Sequence, residues 1–203
     1  KNFCQKNSIW CLIGSIAIRT KNSKIVNRGY IIDANGKIVS KYDKIHMFDI
    51  CLNGENHNES STISSGKKAV IVKTDFCKIG HTICYDLRFP NLYRNLSHAG
   101  AEILAVPSAF TKKTGLAHWH VLNRARAIEN GAFVIAPCSI GKIFGGGNCF
   151  GHSLIINPWG EVIIDGGNKR GIISAKIDLK LVKQTRKQLP SLSHDKFFKL
   201  KEY

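Results

Sequence analysis

An apolar run over residues 79–84 ends at Cys84, and six residues later Pro90 opens a helical pattern over residues 91–98 that Gly100 stops. A strand that turns into a proline-started helix is a joint of α/β folds. Proline suits the first helical position because its missing N–H would have no partner there. The turn holds one thiol. Backbone N–H groups and the positive end of the helix dipole beside it favour thiolate over thiol, and the thiolate is the reactive form. The same N–H groups suit a developing oxyanion. The position equally suits a plain structural cysteine, since free cysteine is usually buried and inert. Asp86 is expected to hold the turn by local hydrogen bonds.

The rest of the chain alternates short strands and helices. Residues 9–19 read as a mostly buried strand, and residues 24–33 and 37–41 flank the hairpin signal Asn35-Gly36. Residues 49–68 are polar and read as a long loop holding Glu59. Further strands are expected over 69–74, 79–84, 103–107 and 132–136, with the clearest helix over 117–130 and Gly131 as its stop. Residues 140–150 read as a glycine-rich loop, and its Gly145-Gly146-Gly147 run lacks the pattern of a phosphate loop. Residues 152–157 and 161–165 pair around Asn157-Pro158-Trp159-Gly160. A last strand is expected over 171–177, with Asp178 capping a helix that runs to Lys187. No repeat or linker divides residues 1–203, which read as one domain.

Composition excludes several classes. The net charge is +16, but the lysines are scattered and form no dense basic stripe interleaved with aromatics. That argues against a nucleic-acid partner, whereas a small anionic substrate gains from the field. No apolar run reaches the length of about 18 residues that a membrane helix needs, and the start lacks the layout of a signal peptide. Seven cysteines without a CxxC pair fit reduced thiols in the cytoplasm better than a disulfide framework. His118 and His120 are two residues apart, so a helix does not bring them onto one face. No metal or cofactor is expected.

Other blocks accompany Cys84. Lys41-Tyr42-Asp43-Lys44-Ile45-His46 lies upstream, with Lys44 40 residues before the cysteine. Pro107-Ser108-Ala109-Phe110-Thr111 and Thr114-Gly115-Leu116-Ala117-His118-Trp119 follow, leading into Arg124-Ala125-Arg126. In this order, from about residue 9 to residue 192, the blocks resemble the carbon–nitrogen hydrolase (nitrilase) superfamily. The nearest branch acts on omega-amides and deaminated glutathione. The resemblance implies an α-β-β-α sandwich of two stacked sheets, a homodimer or higher homo-oligomer, and a small-molecule amide substrate. It implies amide hydrolysis through a cysteine acyl-enzyme. Matched residue by residue, Cys84 is the nucleophile, Lys44 the oxyanion lysine and Glu59 the family's second, auxiliary glutamate. Tyr85 supplies a backbone N–H, while Arg88, Phe110 and Thr114 line the substrate site, with Arg88 forking onto a substrate carboxylate.

Each assignment has a plainer alternative. Lys44 also suits a surface lysine that snorkels, Glu59 a solvated loop carboxylate, Arg88 a structural salt bridge and Phe110 a core residue. The resemblance further implies that the opening strands and helices, and with them the general-base glutamate, lie upstream of Lys1. On that reading the sheet is incomplete, its apolar surface is uncovered, and the chain alone is inactive. The alternative function is a degenerate homologue or fragment that binds without turnover.

Overall fold

The computed structural model describes residues 1–21, 24–52, 55–142 and 147–203. The chain opens with α1 (Asn2–Asn7) and enters a three-stranded antiparallel sheet. Its strands are β1 (Cys11–Arg19), β2 (Ile25–Ile32) and β3 (Ile38–Asp43), with β2 in the middle. The β2–β3 turn is the expected hairpin. Asp33 Oδ1 accepts the N–H groups of Asn35 and Lys37 at 3.0 and 2.8 Å, and Gly36 takes φ +78°, where a side chain would be strained. β1 is less buried than expected. It is an edge strand of its sheet, and Ile13 and Ile16 are exposed.

Residues 49–68 are not one loop. β4 (Asp49–Leu52) pairs antiparallel with β5 (Glu55–Asn58), and a single 3-10 turn, Glu59–Ser61, follows. The β5 residues carry no hydrophobic alternation, so period-2 patterning had nothing to detect.

A six-stranded sheet makes the second layer. Its members are β6 (Val70–Lys73), β7 (Lys78–His81), β8 (Ile103–Ala105), β9 (Phe133–Ala136), β12 (Leu154–Ile156) and β13 (Val162–Asp165). The order across the sheet is β13-β12-β9-β8-β7-β6, and β7, β8 and β9 run parallel. Parallel neighbours need crossovers, which α2 (Pro90–His98) and α3 (Lys112–Asn130) supply. Between β9 and β12, β10 (Ile140–Lys142) and β11 (Asn148–Phe150) form a separate hairpin where a loop was expected. Gly145 and Gly146 lie outside the described residues.

The six-stranded sheet is covered on both faces. On one, Leu104, Val134 and Ile156 pack with Tyr93 and Leu96 of α2 and Trp119 and Ala127 of α3. On the other, Ile79, Ile103 and Ile135 face Trp10, Leu12 and Ile31 from the first sheet side. Helices on one sheet and that sheet on the other make the α-β-β part of the expected α-β-β-α sandwich. The last helix, α4 (Lys180–Gln188), seats Val182 against Ile103 and Phe133.

Two boundaries differ from the sequence reading. α3 begins at Lys112, because Thr111 caps it and accepts the Thr114 N–H. Its first turn is polar, so periodicity alone started the helix too late. Residues 171–177 form no strand. β13 is the last strand of its sheet and pairs with β12 alone, and Ile172 points to solvent at 98% exposure. Asp178 still serves the helix start, accepting the Lys180 N–H at 2.9 Å.

Candidate active site

Beyond the end of β7 the chain keeps its place beside the neighbouring strand. Thr82 N–H donates to Ala105 O at 3.1 Å and Cys84 N–H to Pro107 O at 3.0 Å. Cys84 then opens a 3-10 turn, Cys84–Arg88, at φ +50°, in the left-handed region that non-glycine residues rarely adopt. Such a conformation persists only where the surroundings impose it.

Asp86 imposes it. This wholly buried carboxylate accepts the Ile83 N–H at 2.9 Å, the local bond that was expected. It also accepts Tyr42 OH at 2.6 Å and His46 N–H at 3.1 Å, with His46 Nδ1 2.7 Å away. The carboxylate therefore ties the cysteine turn to the end of β3 and to the segment after it, on both sides of Lys44. This long-range role was not legible from its position near the cysteine.

Lys44 is 3% exposed, which removes the snorkelling alternative. Its Nζ donates to Glu59 Oε2 at 2.5 Å, and the Phe48 N–H reaches the same oxygen at 2.7 Å. Glu59 is thus a partner of a buried cation rather than a carboxylate in water. The β4–β5 hairpin brings it back toward the lysine.

Cys84, Lys44 and Glu59 line one cavity of about 450 Å³, together with Tyr85, Phe110 and Thr114. Tyr85 stands edge-on to Phe48, with ring centroids 5.1 Å apart. Phe110 is both wall and core, since it is 4% exposed and packs on Trp119 at 5.0 Å. Thr114 lies in the first turn of α3, its hydroxyl 2.8 Å from Thr111 Oγ1. The sequence reading missed Asn27 of β2 and His57 of β5, which also line it. No motif marks either one.

Arg88 stands apart from the cavity lining. Its guanidinium lies 5.5 Å from the Phe110 ring centroid and 5.7 Å from that of Tyr85, behind two cavity walls. Its Nη2 is 3.3 Å from His118 Nδ1, and no carboxylate lies within ion-pair distance of it among the described residues. The salt-bridge alternative therefore finds no partner there. His118 and His120 diverge as their spacing implied: His118 faces Arg88, and His120 faces Asp165 at 2.9 Å.

The thiol differs from the sequence expectation. Burial pushes the Cys84 pKa above the ordinary thiol value. The Lys44 cation and hydrogen bonds from Ala109 N–H and Ser108 pull it back only in part, and Glu59 opposes them. The expected help from a helix dipole is weak because α2 begins at Pro90, not at the cysteine. The net effect holds Cys84 toward the protonated thiol. The backbone N–H groups beside the thiol differ in what they bond. The Cys84 N–H is taken by Pro107, whereas the Tyr85 N–H has no backbone acceptor among the described residues.

The carbon-nitrogen hydrolase family matches residues 1–187. The chain belongs to that family. It is 44% identical over 177 residues to a deaminated glutathione amidase of Synechocystis, covering 86% of this chain and 65% of that protein. It is 38% identical over 180 residues to an omega-amidase of Xenopus tropicalis, covering 88% of this chain and 65% of that protein. The chain thus spans about two thirds of the length of these curated relatives. Among solved structures, the C. elegans NitFhit protein superposes with a TM-score of 0.90 at 35% identity, covering 96% of this chain and 48% of that one. These relatives place the chain in the omega-amidase branch of the nitrilase superfamily. Among the described residues, no helix is long and apolar enough to cross a membrane.

Proposed function

We propose that this protein hydrolyses a small amide to a carboxylate and ammonia through a cysteine acyl-enzyme. The observation that carries this reading is the buried Lys44–Glu59 pair lining the same cavity as Cys84. The Cys84 sulfur attacks the amide carbonyl carbon as its proton passes to a carboxylate. The carbonyl oxygen becomes an oxyanion held by Lys44 Nζ and the Tyr85 N–H. Removing one such donor costs about 2.7–4 kcal/mol of barrier. Collapse breaks the C–N bond, the returned proton leaves with ammonia, and a thioester remains. Water then attacks the thioester, and the thiol is restored.

Proton transfer is the demanding step, because burial holds Cys84 as a thiol. Glu59 is the one carboxylate lining the cavity among the described residues, and it is engaged by Lys44 and Phe48. The chemistry calls for a second carboxylate, and the chain covers 65% of the Synechocystis relative, whose unmatched part could carry one. The relatives named as amidases of deaminated glutathione and omega-amides suggest a carboxylate-bearing substrate. Arg88 is the cation proposed to meet it, which requires its guanidinium to swing past Tyr85 and Phe110 into the cavity.

The test is steady-state ammonia release on paired charged and neutral omega-amides and on deaminated glutathione. It compares the chain with a form extended by the N-terminal third of the Synechocystis relative. The extended form should turn over and lose activity with Cys84→Ala. Arg88→Lys should impair charged amides far more than neutral ones, because lysine lacks the planar fork. Equal loss on both would give Arg88 a purely structural role. The single, occupied cavity carboxylate favours a second reading for the 203-residue chain alone, namely binding without turnover. Robust release by that chain, abolished by Cys84→Ala, would overturn it.

A further inference from the structure

Three metal-ligating side chains converge outside the cavity, from three separate elements. His120 comes from the middle of α3, His152 from the residues just before β12, and Asp165 from the end of β13. Their donor atoms all lie within 4.8 Å of one another. His120 Nε2 is 2.9 Å from Asp165 Oδ2, and His152 Nδ1 is 3.0 Å from the same oxygen. We propose that His120, His152 and Asp165 form a binding site for one divalent ion of the zinc class.

Distance supports the assignment. Zinc bonds of about 2.0–2.2 Å in tetrahedral array put neighbouring donors about 3.3 Å apart. The two histidine–aspartate pairs are within a few tenths of an ångström of that spacing and the two imidazole donors lie within 4.8 Å of each other, so side-chain rotations admit the ion. Chemistry selects the metal. Two imidazole nitrogens and one carboxylate suit zinc-like ions, whereas magnesium and calcium take oxygen donors. The side chains are 24–35% exposed, which leaves a coordination position open to water.

The donors are also held in place by other contacts. Gly167 N–H donates to Asp165 Oδ1 at 2.8 Å, leaving Oδ2 for the ion. The His152 ring stacks on Phe150 at 4.5 Å. Its backbone sits at φ +54°, a strained region for a side-chain-bearing residue. Two bonds keep it there: Trp119 Nε1 donates to His152 O at 2.7 Å, and His152 N–H donates to Gly167 O at 2.7 Å. Outer contacts of this kind orient ligands in metal sites. A simple surface ion pair needs one histidine and no strained backbone. Here one carboxylate is shared by two imidazoles. The i, i+2 spacing of His118 and His120 was a sound reason to reject that pair, but it did not test partners from β12 and β13.

The experiment is calorimetric titration of the chain with Zn²⁺, repeated with His120→Gln, Asp165→Asn and Cys149→Ser. The expected result is one ion per chain, with affinity weakened about tenfold or more by the first two changes. Cys149→Ser should leave it unchanged. An affinity that survives both His120→Gln and Asp165→Asn would overturn the site, as would no binding at all. Co²⁺ absorption of the unmodified chain decides the matter if a variant fails to fold. Intense visible bands of a four- or five-coordinate ion without thiolate charge transfer support the site. Thiolate charge transfer alone places the ion on cysteines and overturns it.

Discussion

Lowering the pH from 7 to 4.5 should cost the fold about 2 kcal/mol through one side chain, His81. His81 ends β7 and is wholly buried, and neither ring nitrogen has a hydrogen-bond partner among the described residues. The ring is packed tightly between strands. A Cβ on Gly29 of β2 would lie 2.4 Å from its Nε2, and the Tyr42 ring is 5.3 Å away. Burial holds the imidazole pKa down to about 4, against an ordinary value of 6.5. The folded chain therefore refuses a proton that the unfolded chain accepts as pH falls below 6.5. Stability from this group is complete above that value and is lost as pH drops toward 4. The full gap corresponds to about 3 kcal/mol, of which about 2 is spent by pH 4.5. His81→Met keeps similar volume and removes both the titration and the unpaired polar atoms. At pH 7 it should be neutral or stabilise by up to about 2 kcal/mol. Urea unfolding of both proteins at pH 7 and pH 4.5, followed by tryptophan fluorescence, isolates the term, because other titrating groups cancel in the difference. An acid-induced loss equal in the two proteins would refute the reasoning.

Three further outcomes follow from the site. Iodoacetamide at pH 7 should label the exposed Cys51 before Cys84, whose thiol burial keeps protonated; peptide mapping that finds Cys84 first would show a tuned thiolate instead. Glu59→Gln should destabilise the chain by about 3 kcal/mol, because it strands the Lys44 cation in a buried position; a loss under about 1 kcal/mol in urea unfolding would mean that Lys44 finds water or another partner. Tyr42→Phe removes a charge-assisted bond to Asp86 and should cost about 1.5–3 kcal/mol in the same measurement, and an unchanged midpoint would deny Asp86 its organising role.

Much of the site was legible because its signals are local. Cys84, Lys44, Glu59, Tyr85, Phe110 and Thr114 all reach one cavity, as the ordered blocks implied. Arg88 carries the same kind of signal but lies behind the wall, because motif position does not say which way a turn points its side chain. The polar β4–β5 hairpin was invisible to hydrophobic periodicity, yet it returns Glu59 to Lys44.

Amino-acid order by itself determined what depends on backbone preference and period. Asn35-Gly36 makes the β2–β3 turn, Pro90 opens α2, Gly131 at φ +53° closes α3, and the family blocks follow in sequence. Tertiary structure alone decided the rest. It buried the Cys84 thiol and raised its pKa, joined Asp86 to Tyr42 and His46 across 40 or more residues, and gathered His120, His152 and Asp165. The reason is physical. Dihedral preference and periodicity act between neighbours in the chain, whereas desolvation and charge pairing depend on which surfaces meet when the sheets and helices pack.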